Sequence, residues 1–294
     1  MNGPDRAALV ALLRQARRPW PVYSEQLEEG EKPLEILERE LAETDAGQTS
    51  LIGGDSGTLL EAAAADLETW KREGFALVTV LDADYPINLR AVHDRPPILF
   101  VAGELMDTDG RSLAVVGSRR ASAAGLERAG ALSRHLAQED CTVVSGLASG
   151  IDTAAHRAAL AAAGRTVAVI GTGLRHSYPP ENAELQRELV KGAAVVSQFW
   201  PDAPPSRHSF PLRNGVMSGL TLGTAIVEAS VTSGARTQAR LALAHGRPVF
   251  LARELMRQAW AQQLAERPGV HLYAEPAEVT TVLARVTETG VPTA

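Results

Sequence analysis

The chain has 294 residues, 45% of them hydrophobic and 22% charged, with a single cysteine. That composition is globular, which excludes wholesale disorder and collagen-like repetition, and the length suits one large or two small domains. Cys141 alone builds neither a disulfide framework nor a cysteine-ligated zinc site, no uncharged run approaches the ~20 apolar residues of a membrane helix, and the N-terminus lacks the basic-then-apolar order of a signal peptide, so a soluble, cytoplasmic protein is expected.

The net charge of −6 is unevenly spread. Residues 1–110 carry 21 acidic against 10 basic side chains, and residues 111–294 carry 14 against 19, of which only Lys191 is not arginine. Planar guanidinium forks suit bidentate contacts to phosphate.

In chain order, Leu9, Leu12 and Leu13, then Leu34, Ile36, Leu37 and Leu41, set an amphipathic helical spacing over 7–43. The GQTSLIGGDSG stretch at 47–57 reads as a loop. A helix over about 58–73 carries Leu59, Leu60, Leu67 and Trp70. A strand at 75–80 stops at DADYP, and Pro96-Pro97 leads into another at 98–102. Beyond Ser112, short Val/Ala/Ile-rich runs at 113–116, 142–144, 166–170, 194–197, 224–227 and 248–251 alternate with helix-compatible stretches such as 126–138 and 154–163. Unalternating apolar runs read as strands buried on both faces, and their alternation with crossover helices predicts the α/β class: a Rossmann-like, doubly wound, mostly parallel sheet. The expected organisation is a small helical, acidic N-terminal domain over 1–74, connecting strands joined to the core over 75–110, and the Rossmann-like domain over 111–294.

Ligands of such sheets bind beyond the carboxyl ends of the strands, so the loops there hold the candidate residues. These loops carry Gly117, Ser118, Arg119 and Ser122; Ser145, Gly146, Gly150 and Asp152, with His156 one turn on; Gly171, Gly173 and Arg175; Arg213 and Asn214; and Glu228, Ser233, Gly234 and Arg236. Glycines let backbone approach a phosphate, helix N-termini offer unpaired N–H groups, and arginines and serines complete an anion site. Asp152 and His156 fit two roles, fixing their loop or acid–base chemistry, and Glu228 fits anchoring, contact with ribose hydroxyls, or catalysis. No GxGxxG follows the first of these strands, no GxxxxGK[ST] is present, and the seven histidines show no paired metal-ligand spacing, so neither a nucleotide cofactor nor a metal is expected.

The runs VVGSRRAS, VVSGLASGIDTAAHRAAL, VAVIGTGLRHSYPPENAEL, FPLRNGVMSGL and IVEASVTSGARTQARLALAHGRPVF, preceded by ADYPINLRAVHDRPPILFVAGEL, closely resemble the DprA/Smf family of DNA-processing proteins within the SLOG group of Rossmann-like folds. The resemblance covers about residues 75–252. It implies a protein without a reaction of its own that binds single-stranded DNA as a homodimer and loads a RecA-type recombinase, in natural transformation and recombination. It places the DNA pocket at Gly117, Ser118, Arg119, Ser145, Gly146, Arg213, Asn214, Ser233 and Gly234. Departures from the family pattern are Gly215 in place of a second arginine, Ala235-Arg236 after Ser233-Gly234, a charged helix read over 253–268 where a glycine-rich segment is usual, and no winged-helix extension within these residues. Candidates for base stacking are Tyr178, Phe199, Trp200 and Phe210. Two other readings remain open: a regulatory or antitoxin-like partner protein in a phage-defence module, and a phosphoribohydrolase, whose acidic motif end TSGARTQ lacks.

Overall fold

The computed structural model describes residues 1–45 and 56–288; the loop expected at 47–57 lies outside them except for its last two residues, which open a helix. The N-terminal helices are α1 (Gly3–Arg14), α2 (Trp20–Glu28), α3 (Pro33–Asp45) and α4 (Ser56–Arg72). The single helical pattern over 7–43 is therefore three helices. Pro19 caps α2, and Gly30, at φ +98°, turns the chain before Pro33. α1 is buried from Ala7 to Leu13, because its apolar face meets both its helical neighbours and the sheet.

Nine strands form one sheet: β1 (Phe75–Thr79), β2 (Ile98–Gly103), β3 (Ser112–Gly117), β4 (Thr142–Ser145), β5 (Thr166–Val169), β6 (Ala194–Ser197), β7 (Thr224–Glu228), β8 (Val249–Ala252) and β9 (Val270–Tyr273). Their spatial order is β1-β2-β6-β5-β4-β3-β7-β8-β9. β1 with β2 and β2 with β6 pair antiparallel, and every other pairing is parallel. β3, β4 and β7 are buried along almost their full length, as parallel strands covered on both faces must be. The helices between them are α5 (Ile87–Arg90) before β2, α6 (Ala123–Gln138), α7 (Ile151–Ala161), α8 (Ala183–Gly192), α9 (Ser209–Leu220) and α10 (Ala235–Ala244), followed by α11 (Ala259–Ala265) and α12 (Pro276–Glu288).

Two features depart from the sequence reading. The stretch at 253–268 is not one charged helix but a 3-10 turn over Arg253–Arg257 followed by the short α11. The chain then turns at Gly269, φ +79°, into β9, an edge strand the pattern did not reveal. The antiparallel β1–β2 pair belongs to the same sheet, and one apolar cluster runs from α1 through the strands without a break. Trp70 packs edge-on against Phe100 (ring centroids 4.9 Å) and stacks on Trp200 (5.9 Å), with Trp20 closing the group at 5.8 Å from Trp200. Each such pair contributes about 0.5–1.5 kcal/mol beyond area burial. Among the described residues no helix is long and apolar enough to cross a membrane.

The chain steps outward from β3 to β4, β5 and β6, then returns to place β7 on the other side of β3. Loops leaving β3 and β7 therefore part to opposite faces, and the crevice between them is where this fold places ligands.

Candidate functional site

A cleft of about 500 Å³ lies at that crevice, lined by Gly117, Ser118, Arg119, Arg120, Asp152, Phe210, Arg213, Asn214, Ser230, Thr232, Ser233, Gly234 and Gln238 among others. A second hollow of about 200 Å³ shares Arg119, Ala148, Phe210 and Arg213 with it and extends past Gly146, Ser149, Gly171, Tyr178 and Glu181. The two form one trough across the carboxyl ends of the central strands.

The trough's shape is set by close backbone approach. Gly150 sits at φ +79°, and a Cβ there would collide with the Ser118 and Arg119 carbonyl oxygens. Glycine alone thus lets α7 begin against the β3–α6 loop, where Ile151 N donates to Ser118 O at 3.2 Å. A Cβ on Gly146 would likewise overlap the Arg213 guanidinium.

Arg213 is 6% exposed, and this corrects the view of it as a plain phosphate contact. Its Nη1 donates to Gly146 O (2.6 Å) and Val169 O (2.8 Å), and its Nε donates to Asn214 Oδ1 (3.0 Å). Buried beside it, Asp152 accepts from Gly146 N (3.1 Å) and Ala148 N (3.3 Å). Burial pushes the Asp152 carboxyl above its usual range, opposed by the Arg213 charge and these two N–H donors. Burial lowers Arg213 in turn, although a guanidinium stays charged. Arg213 ties α9 to β5 and to the loop after β4 beneath the trough.

The exposed cations are Arg119 and Arg120. Arg119 lies over the Phe210 ring at 5.0 Å, and Phe210 meets Tyr178 at 5.6 Å. A guanidinium and two rings, one of them the 40%-exposed Tyr178, form a platform on which a flat group can stack. The Ser230–Gly234 loop opposite adds exposed hydroxyls, and the space above Gly234 is open.

Several expected site residues lie elsewhere. Glu228 is an anchor: its carboxylate accepts from Ser122 N (2.9 Å) and Ser122 Oγ, and its backbone carbonyl accepts from Ser118 N (2.7 Å). Ser122 itself caps α6 by accepting from Gly125 N. The N-terminus of α6 is thus occupied by serine and carboxylate, and at that of α7 Ile151 N and Thr153 N already donate to Ser118 O and Ala148 O. Ser145 is buried and donates to Val115 O (2.6 Å). His156 is fully buried, with Nδ1 2.7 Å from Thr166 Oγ1. Burial, followed by the Arg213 charge, pushes it down to about 3, so it stays neutral and does no acid–base work at ordinary pH. Arg175 pairs with Glu73 at 3.0 Å, Arg236 is turned to Val231 O and the Trp260 ring, and Gly173 packs under the Trp200 and Pro201 carbonyls. Of the stacking candidates, Tyr178 and Phe210 reach the trough, whereas Phe199 and Trp200 line a separate groove. The sequence reading missed Arg120 and the Ser230–Thr232 hydroxyls as lining residues, although both adjoin glycine-bearing loops already singled out.

A family model described as DNA recombination-mediator protein A matches residues 76–289. Protein Smf of Escherichia coli (strain K12) is 47% identical over 168 residues, which is 56% of this chain and 45% of that protein. DNA processing protein DprA of Streptococcus pneumoniae is 40% identical over 176 residues, 60% of this chain and 62% of that protein. DNA processing protein DprA of Bacillus subtilis is 35% identical over 185 residues, 63% and 62% respectively. The chain thus spans less than two thirds of the length of these relatives. The X-ray structure of DprA from Streptococcus pneumoniae superposes with a TM-score of 0.69 at 28% identity, covering 95% of both chains. A solved structure of DNA processing protein A from Helicobacter pylori gives 0.64 at 23% identity over 72% of this chain and 96% of that one, a likeness of fold.

Proposed function

The chain belongs to the family of DNA recombination-mediator protein A, and from that premise we propose that it binds single-stranded DNA along the trough, without reading sequence, and acts as a recombination accessory. The observation that carries this reading is the pairing of two exposed arginines, Arg119 and Arg120, with the Phe210–Tyr178 platform at the fold's ligand crevice. Cations that follow a backbone and rings that stack any base are what a sequence-tolerant single-strand binder needs. The Helicobacter pylori relative is described by a single-stranded DNA binding mode, which is consistent with this assignment. Of the residues proposed from sequence, Gly117, Ser118, Arg119, Gly146, Asp152, Gly171, Arg213, Asn214, Ser233 and Gly234 line the trough, and Gly150 shapes it. Hand-over of the strand to a RecA-type recombinase, and self-association to a homodimer, are the parts of the proposal that rest on the family resemblance. A binding rather than an enzymatic role is supported by Glu228, whose carboxylate is held by Ser122 instead of facing the trough.

The test is a salt titration of binding to single-stranded oligonucleotides of different sequence. Arg119→Ala and Arg120→Ala should each weaken binding alike for every sequence and lower the salt slope by about 0.7, the value for one neutralised phosphate, with unchanged melting because both side chains are exposed. Wild-type binding by both variants would overturn the assignment and favour a role toward a protein partner.

A further inference from the structure

On another part of the molecule, the turn between α5 and β2 meets the C-terminal end of α10. His93 and Asp94 come from the turn and His245 caps the helix, and one potential ligand atom from each lies within 4.8 Å of the others. His245 is buried, Asp94 is half-buried and His93 is exposed.

His245 Nε2 and Asp94 Oδ1 are 2.8 Å apart, yet both are buried polar atoms without a partner in hydrogen-bonding geometry. On the other side of the ring, Nδ1 lies 2.5 Å from Ser218 Oγ, and that hydroxyl is directed at Gly215 O, 3.4 Å away. With its proton on Gly215 O, the Ser218 oxygen accepts from Nδ1–H. Nε2 is then left as a lone pair facing a carboxylate oxygen, and two lone pairs at that separation repel unless a positive charge lies between them. A ring proton is one such charge. The third residue argues for another: the His93 ring stands 5.6 Å from that of His245 at 73°, which brings a second imidazole to the same point. The neighbouring cation, Arg247, is turned away, its Nη2 donating to Asn88 O at 3.0 Å.

We propose that His93, Asp94 and His245 form a binding site for one divalent transition-metal ion of the zinc type. Two imidazole nitrogens and one carboxylate oxygen are a donor set that Zn²⁺ accepts, with water as the fourth ligand. At metal–ligand distances of about 2.0–2.2 Å, tetrahedral neighbours stand roughly 3.4 Å apart, so Asp94 and His245 need to part by about half an ångström. The half-exposed carboxylate has room to do so. Ser218 supplies the outer contact that fixes the tautomer and orientation of a metal-bound histidine. The ion would pin the segment leading into β2 to the α10–β8 turn. It would do so at the edge of a groove of about 760 Å³, lined by Asp94, Gly215 and Leu241 and by apolar residues of α2 and α9. The site is separate from the trough, so its test is independent of DNA binding.

The experiment adds Zn²⁺, and in parallel Co²⁺, to the full chain after removal of metal with a chelator. The expected result is saturable binding of about one Zn²⁺ per chain, visible-band absorption of a low-coordinate site with Co²⁺, and a rise in melting temperature that the chelator reverses. His93→Gln removes a ligand whose ring is exposed, so the fold is kept; it should weaken Zn²⁺ at least tenfold, as even the loss of an outer-shell partner costs about 10–100-fold. Equal Zn²⁺ affinity in wild type and His93→Gln overturns the proposal. So does a melting temperature indifferent to Zn²⁺ and chelator, which would leave a protonated His245–Asp94 pair as the account of the contact.

Discussion

Arg213→Ala tests whether this residue is a beam of the fold or a hand on the ligand. The substitution removes donors from the Gly146 and Val169 carbonyls, at 2.6 and 2.8 Å, and leaves Asp152 buried without its counter-charge. A hydrogen bond to a charged group is worth about 1.5–3 kcal/mol. Two such bonds to carbonyls are lost and the Asp152 charge is left unopposed, so a destabilisation of about 4 kcal/mol is expected. At about 2–4 °C per kcal/mol for a domain of this size, the melting temperature should fall by about 8–16 °C. The deficit should also depend on pH. Folding already raises the Asp152 carboxyl, and without Arg213 it rises further. A carboxyl raised by folding gives stability that is full below its unfolded pKa and lost as pH climbs through the folded value. The variant should therefore lose least in acid and most above neutrality. Thermal melts followed by circular dichroism at pH 5 and pH 8 measure both effects. A variant melting within about 2 °C of wild type at pH 8, or one more damaged in acid, would refute the buried-charge argument.

Tyr178→Ala should weaken single-stranded DNA binding by about 1–3 kcal/mol while leaving the salt slope unchanged, because stacking releases no counterions; a changed slope in the titration would place the ring away from the strand. Gly150→Ala forces a side chain into left-handed backbone against the Ser118 and Arg119 carbonyls, and should cost about 1–3 kcal/mol in chemical denaturation as well as affinity for DNA. A fully stable Gly150→Ala variant would mean that the α7 entry is not as tight as described.

The parallel strands were legible in the sequence because each is a short apolar run with no polar alternation, and the alternation with helices fixed their direction. β9 was not: His271 and Leu272 on an edge strand are partly exposed, and four residues carry no usable periodicity. The trough's loops could be named from the glycines that follow β3, β4 and β5, but the direction of each side chain within them could not. Arg213 follows a phenylalanine, a proline and a leucine, and nothing local says that α9 turns it inward to carbonyls of β5 and of the loop after β4. Arg175 looked like a cation of the site because its partner, Glu73, lies 102 residues earlier in the chain. His93, Asp94 and His245 escaped for the same reason, since helical spacing finds ligands within one element and not across the sheet.

The charge asymmetry of the sequence has a different meaning in three dimensions. Read along the chain, an acidic third precedes a basic remainder, which suggests two opposed fields. In the fold, carboxylates of the first third are matched locally: Asp82 with Arg6, Asp66 with Arg14, Glu31 with Arg39 and Glu28 with Arg95. Two others reach into the core and neutralise its arginines, Glu73 on Arg175 and Asp109 on Arg165. Exposed charges farther apart than about 10 Å are largely screened at 0.1 M salt, so the potential a ligand meets is set by the charges nearest to it. The attraction a polyanion meets at the crevice is set by its own walls, where Arg119 and Arg120 are exposed and Arg213 is matched by Asp152. Arginine content alone overstated the number of cations available to a ligand, because burial and ion pairing decide which of them face it.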